Sequence, residues 1–303
     1  MQSIKSRIFY YMAKRQLAAL RRQNLPIVEF RLAREAAATK LFKLPPDVTL
    51  ESTQIAGCAA EWLRPTKPVG AGVVLYLHGG AYVSGSCITH RSIAARIAMA
   101  SGHATLNFNY RLAPEHPFPA GLDDALAVYL ALSDGGQTPI CLAGDSAGGG
   151  LALALVQRLR EQQMTMPLGL ALMSPWTDLA LTSETHQTKA SVDPFFPTPE
   201  RLIASSRQYA ADTSLTHPLV SPHYADLSKL PPMLIHVGTH ETLLGESRWL
   251  AEKVRQQGGV ANLKVWRGMW HVWQAFGGMM READESIAEL GEFLRQEFGR
   301  VRA

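Results

Sequence analysis

Cysteine is scarce in this sequence: three in 303 residues, Cys58, Cys87 and Cys141. An odd number of widely separated cysteines with no paired spacing suggests neither a disulfide framework nor a zinc site, so no metal is expected. Long hydrophobic runs are also missing. None approaches the ~20 residues needed to span a bilayer, and the N-terminus has no continuous apolar core followed by a small-residue cleavage site. The expectation is a soluble, cytoplasmic chain with no stable membrane insertion. Excess charge of one sign is lacking too: 30 basic residues face 26 acidic ones, a net of +4 that makes no case for a nucleic-acid partner. There is no internal repeat and no low-complexity segment.

What is present is material for a large core. With 47% apolar and 18% charged residues, one domain with an accessory lid fits as well as two domains. The one basic cluster of note is N-terminal, "KSRIFYYMAKRQLAALRRQ". Its Ile4, Ile8, Tyr11 and Ala18 recur at helical spacing, which predicts an amphipathic helix packed on the body with its charges solvated; a membrane-surface role is the lesser alternative.

From about Gly72 onward, short apolar runs alternate with helical stretches. "VVLYL", "ATLNFNY", "ICLA", "GLALMS", "MLIHVG" and "LKVW" read as buried strands. Ala120 to Leu132, Gly149 to Arg160, Glu246 to Gln257 and Glu282 to Phe298 read as helices. The fold class expected is α/β, with a mostly parallel sheet flanked by helices. Residues 1–45 and 179–219 break the rhythm and are read as two parts of one helical cap over a catalytic domain spanning 46–303.

In an open parallel sheet, ligands gather where strands end, and three such corners carry chemistry. His78-Gly79-Gly80-Ala81-Tyr82 follows "VVLYL", and its glycines let backbone N–H groups approach a ligand closely. Ser146 stands in Gly144-Asp145-Ser146-Ala147-Gly148, a G-x-S-x-G between strand and helix. His271 follows the last strand, downstream of the serine, where a general base would lie. An imidazole can take the serine's proton, and N–H donors from Gly79, Gly80 and Ala147 would hold the developing oxyanion, each worth about 2.7–4 kcal/mol. Taken singly, the serine corner could be only a tight turn and His271 an ordinary histidine between tryptophans; together those readings lose force. His236 and His240 have an i, i+4 spacing, but the first is expected in a strand and the second in a loop, which does not make a metal site. Asp123 and Asp124 open a helix and suit its dipole.

These motifs, "HGGAYVSGSCITHR", "NYRLAPEHPFPA", "GDSAGG", "SPWTDL", "HPLVSPHYADLSKLPPMLIHVGTHETLL" and "MWHVWQAF", resemble in order those of the bacterial hormone-sensitive-lipase-like (family IV) esterases of the α/β-hydrolase fold, over most of the chain. The resemblance implies that Ser146 and His271 are catalytic, that the His-Gly-Gly backbone and Ala147 form an oxyanion hole, and that an N-terminal helical cap shapes the acyl pocket. The family's third glycine is Ala81 here, a change expected to matter little because that position is not taken as a donor. Where the family commonly carries an aspartate, this chain has Glu241, which also lies at the carboxyl edge expected of a triad acid. Glu246 is the rival, expected instead to complement a helix dipole for about 0.3–1 kcal/mol.

The expected function is therefore a serine carboxylesterase acting on short-chain acyl esters through an acyl-enzyme, without cofactor, with Tyr82, Phe195 and Phe196 as candidate pocket residues. An amidase or lipase with the same triad stays open, as does a non-catalytic receptor of the same fold, against which an intact His271 speaks. A homodimer is implied by resemblance alone.

Overall fold

A computed structural model describes residues 2–300. Its centre is an eight-stranded sheet in the order β1-β2-β4-β3-β5-β6-β7-β8. The strands are β1 (Val48–Ile55), β2 (Cys58–Pro65), β3 (Val73–Leu77), β4 (Ala104–Phe108), β5 (Ile140–Asp145), β6 (Leu170–Met173), β7 (Met233–His240) and β8 (Ala261–Trp270). β1, β2 and β4 pair antiparallel, and from β4 through β8 every neighbouring pair is parallel. The strands read from apolar runs are all present. β3, β5 and β6 are buried at every position, as strands covered on both faces must be. His240 ends β7 rather than lying in a loop.

Helices cover both faces. Those around the sheet are α3 (Cys87–Ser101), α4 (Ala120–Ser133), α5 (Ala147–Glu161), α8 (Leu244–Gln256) and α9 (Arg281–Arg300); α1 (Ile4–Arg22) and α2 (Ile27–Leu41) precede the sheet, and α6 (Thr185–Thr188) and α7 (Glu200–Ala210) lie between β6 and β7. One apolar cluster joins α4, α5 and α8 to one face, and a second joins α3 and α9 to the other.

The hairpin of β1 and β2 and the helix α3 have no counterpart among the expected elements. α1 does, but it packs by the opposite face. Ser6 and Ala13 are buried and Phe9, Tyr10 and Leu17 pack inward, whereas Ile4, Ile8 and Tyr11 point to solvent. Two apolar stripes share this helix, and periodicity alone cannot choose between them.

The two segments outside the βα rhythm touch each other. The Tyr10 hydroxyl donates to the Val192 carbonyl at 2.9 Å, and Arg21 Nη1 donates to that of Pro194 at 3.0 Å. α2 is tied to the loops after β3 and β4: Arg31 donates to the carbonyls of Val83 and Ala113, both at 2.8 Å, and pairs with Glu115, while Arg34 donates to Ser84 Oγ at 2.7 Å.

Candidate active site

Ser146 occupies the corner where β5 gives way to α5, with φ 53° and ψ −123°. A non-glycine residue there stores on the order of 1–3 kcal/mol of strain. It is held by its own N–H to the Met173 carbonyl at 2.9 Å. Gly148 is required by proximity: a Cβ there would lie 2.0 Å from the Leu77 carbonyl oxygen, so only glycine lets the start of α5 close onto the end of β3.

The three sequence candidates for a triad come together. His271 Nε2 lies 3.0 Å from Ser146 Oγ, and His271 Nδ1 lies 3.1 Å from Glu241 Oε2. All three residues are buried. The second oxygen of Glu241 accepts from Ser174 Oγ at 2.8 Å and from the Gly238 N–H at 2.5 Å. Burial alone would lower the His271 pKa, but the hydrogen bond and charge of Glu241 outweigh it and raise the imidazole above its ordinary 6.5. Burial pushes the Glu241 carboxyl up, and the bonds from His271 and Gly238 pull it part of the way back.

Ser174 went unnoticed in the sequence. It follows β6, donates to Glu241 and accepts from the Val272 N–H at 3.3 Å, so one hydroxyl joins the acid to the residue after His271. The available signal was its place: like Ser146, it stands at the carboxyl end of a buried parallel strand.

The oxyanion loop needs a correction. The Gly79 N–H expected as a donor is already committed to Asp145 Oδ1 at 3.0 Å. Gly80, at φ 129°, and Ala81, at φ 56°, turn the next amides away. Among the described residues no acceptor takes the N–H of Gly80, Ala81 or Ala147. The third position, Ala81, thus replaces Gly79 as a donor candidate. Asp145 itself accepts from the Tyr76 hydroxyl at 2.7 Å and has His90 Nε2 at 3.4 Å. Burial would raise its pKa, yet His90, Tyr76 and the Gly79 N–H together hold it down at about 2.

The aromatic candidates divide. The rings of Phe195 and Phe196 stand edge-on to His271, with centroids at 5.4 and 5.1 Å. Their backbone is pinned by Asp193, which accepts both N–H groups on one oxygen and the Thr242 N–H and hydroxyl on the other. Tyr82 belongs instead to the core, stacked on Tyr209 at 3.8 Å.

Glu246 also departs from expectation. It does lie in the first turn of α8, but fully buried, where its Oε2 accepts from the Thr177 N–H and hydroxyl and from the Asp178 N–H, and its Oε1 meets His186 Nε2 at 2.9 Å. A dipole contribution is therefore the smaller part of its role. Glu246→Ala is expected to lower the unfolding free energy by about 3 kcal/mol, because four partners lose their acceptor in a buried place. Denaturant unfolding checks this; a loss below about 1 kcal/mol returns Glu246 to the class of dipole effects.

A serine at a strained strand-to-helix corner, with a histidine and a carboxylate in line behind it, defines a serine hydrolase on an α/β-hydrolase scaffold. Residues 74–275 match the family described by the α/β-hydrolase fold. Among curated proteins, the chain is 39% identical over 247 residues to an acetyl-hydrolase of Streptomyces hygroscopicus, covering 81% of this chain and 82% of that one. It is 37% identical to an esterase of Acinetobacter venetianus, covering 84% of each. A solved esterase of the bacterial hormone-sensitive lipase family superposes with a TM-score of 0.92 at 38% identity, covering 99% of this chain and 100% of that chain. The chain belongs to that family of α/β hydrolases, the bacterial hormone-sensitive-lipase-like (family IV) esterases, and is a serine carboxylesterase.

Proposed function

We propose that the enzyme hydrolyses short-chain acyl esters through an acyl-enzyme formed on Ser146. The observation that carries this is the continuous chain from Ser146 Oγ through His271 to Glu241. Ser146 Oγ attacks the ester carbonyl carbon as His271 Nε2 takes its proton. The negative charge that develops on the carbonyl oxygen is held by the N–H groups of Gly80, Ala81 and Ala147. His271 returns the proton to the departing alcohol, and the C–O bond breaks to leave the acyl group on Ser146. Water, deprotonated by the same imidazole, then attacks the acyl carbon, releasing the acid and restoring the serine. Glu241 fixes the tautomer of His271 and stabilises its imidazolium.

The two segments 1–45 and 179–219 serve as the cap, and Phe195 and Phe196 limit the acyl side of the pocket. Support for short chains comes from these two rings, which crowd the reacting histidine on a backbone fastened by Asp193. A solved relative, 37% identical with a TM-score of 0.90 over 98% of this chain and 100% of that one, was soaked with p-nitrophenyl butyrate. The three unbridged cysteines suit a reducing compartment, the cytoplasm, and a homodimer is the assembly inferred from family resemblance. A series of p-nitrophenyl esters tests the reading. Turnover is expected to peak at acyl chains of about two to six carbons, a length a closed pocket can enclose; a peak beyond about ten carbons, with activity rising above the substrate's solubility limit, overturns it.

A further inference from the structure

We propose that the outer face of α1 docks the enzyme onto an anionic lipid surface, a property separate from the chemistry at Ser146. Ile4, Ile8 and Tyr11 follow one another at i, i+4 and i+7, and they are 78%, 52% and 59% exposed; Met12, beside them, is exposed as well. Such a row is unusual on a helix whose other face is already packed, because isolated exposed apolar residues are common but an aligned row is not. Within α1 the residues that accompany the row are cationic, while Asp284 and Glu285 of α9 lie near its Ile4 end. Lys5, Arg7, Lys14 and Arg15 all project from the exposed side, and the 19 residues of α1 contain Lys and Arg at six positions and no acidic residue.

This charge pattern selects the occupant. A protein partner or a second copy of this chain would have to bring carboxylates to every flank, and a nucleic acid has no use for the apolar centre. A bilayer rich in anionic lipids satisfies both parts at once: the apolar row enters the boundary between headgroups and acyl chains, and the lysine and arginine stems let their charges reach the phosphates. Each basic residue near such a surface adds to the attraction. The helix is already fixed for this use. Its first turn is fastened to α9, where Ser3 donates its N–H and its hydroxyl to the two oxygens of Glu282. Its inward face rests on Trp270, Trp273 and Phe276. No folding step therefore opposes adsorption.

Co-sedimentation of the full chain with vesicles decides the matter. Vesicles of phosphatidylcholine with about 30% phosphatidylserine are expected to pellet the protein, with partitioning at least about tenfold weaker on phosphatidylcholine alone and weakened by salt. The double variant Ile8→Asp/Tyr11→Asp is expected to bind the anionic vesicles at least about tenfold less. Its hydrolysis of a water-soluble short ester should be unchanged, since both side chains are exposed and face away from the site; that control shows it is folded. Failure to pellet with anionic vesicles, or pelleting of the double variant like wild type, overturns the proposal. So does a change of the wild-type oligomer to a monomer in the double variant on gel filtration without vesicle binding, which would make this face a self-interface.

Discussion

Ser146→Ala is expected to reduce turnover about 10⁶-fold, the loss typical when the nucleophile of a hydrolytic triad is removed. Folding should survive. The side chain's hydrogen-bond partner among the described residues is His271, and the corner is held by the backbone bond from Ser146 N–H to Met173 and by the close approach of Gly148 to β3. A fluorophosphonate should label the wild type at Ser146 and leave the variant unmodified. The measurement is steady-state hydrolysis of a p-nitrophenyl ester alongside a melting curve. Folded variant protein retaining more than about 1% of wild-type turnover would remove Ser146 from the mechanism.

The second large effect concerns the acid. Glu241→Gln is expected to lower kcat by about 10³–10⁴, because a neutral amide does not stabilise the imidazolium and favours the wrong tautomer. It should also move the pH profile. In the wild type, the imidazole must be neutral to act as base, and Glu241 holds its pKa above 6.5, so kcat/KM falls as the pH drops through a value above 6.5. Without the carboxylate, burial is left as the dominant influence on His271 and depresses its pKa, so the acid limb of the variant should shift to lower pH. A merely structural role for Glu241 would reduce activity without moving that limb. Glu246→Gln, by contrast, should change the rate by less than about tenfold, since its carboxylate bonds Thr177, Asp178 and His186 rather than His271. A crippled Glu246 variant beside a nearly normal Glu241 variant would reverse the assignment.

Much of this was written in the sequence, for identifiable reasons. Strands buried on both faces must be apolar along their whole length, so β3, β5 and β6 stand out as runs, and the corners after β5, β7 and β8 could be located before any coordinate. β1 escaped because it is an edge strand: most of Val48–Ile55 is exposed and its sequence carries no apolar run. α3 escaped because it is buried on most sides, so polar residues such as His90 and Ser92 fall among its packed positions and blur the helical stripe. Its start was nevertheless marked by a reciprocal cap between Ser86 and Thr89. The sequence does not show which amides after His78 are free, for a different reason. Three consecutive amides have the same composition whichever way they point, and their direction depends on left-handed backbone at Gly80 and Ala81 and on a carboxylate that claims Gly79 from another strand. Asp193 bonds a partner distant in sequence, Thr242, which no local pattern discloses, and for Ser174 the strand end marked the place but not its bond to Glu241.

That carboxylate, Asp145, has a cost and a return. It sits next to Ser146 and, held down at about 2, carries a negative charge at neutral pH. A fixed anion so near the forming tetrahedral centre opposes the charge that must appear there. The return is dimensional. The same oxygen that receives the Gly79 amide also receives the Tyr76 hydroxyl, so the end of β3 is riveted to the residue preceding Ser146. In the proposed mechanism, the distance from Ser146 Oγ to the amides that would hold the oxyanion is then set through this one joint between β3 and β5. The scaffold thus trades some electrostatic advantage for a fixed spacing across the site.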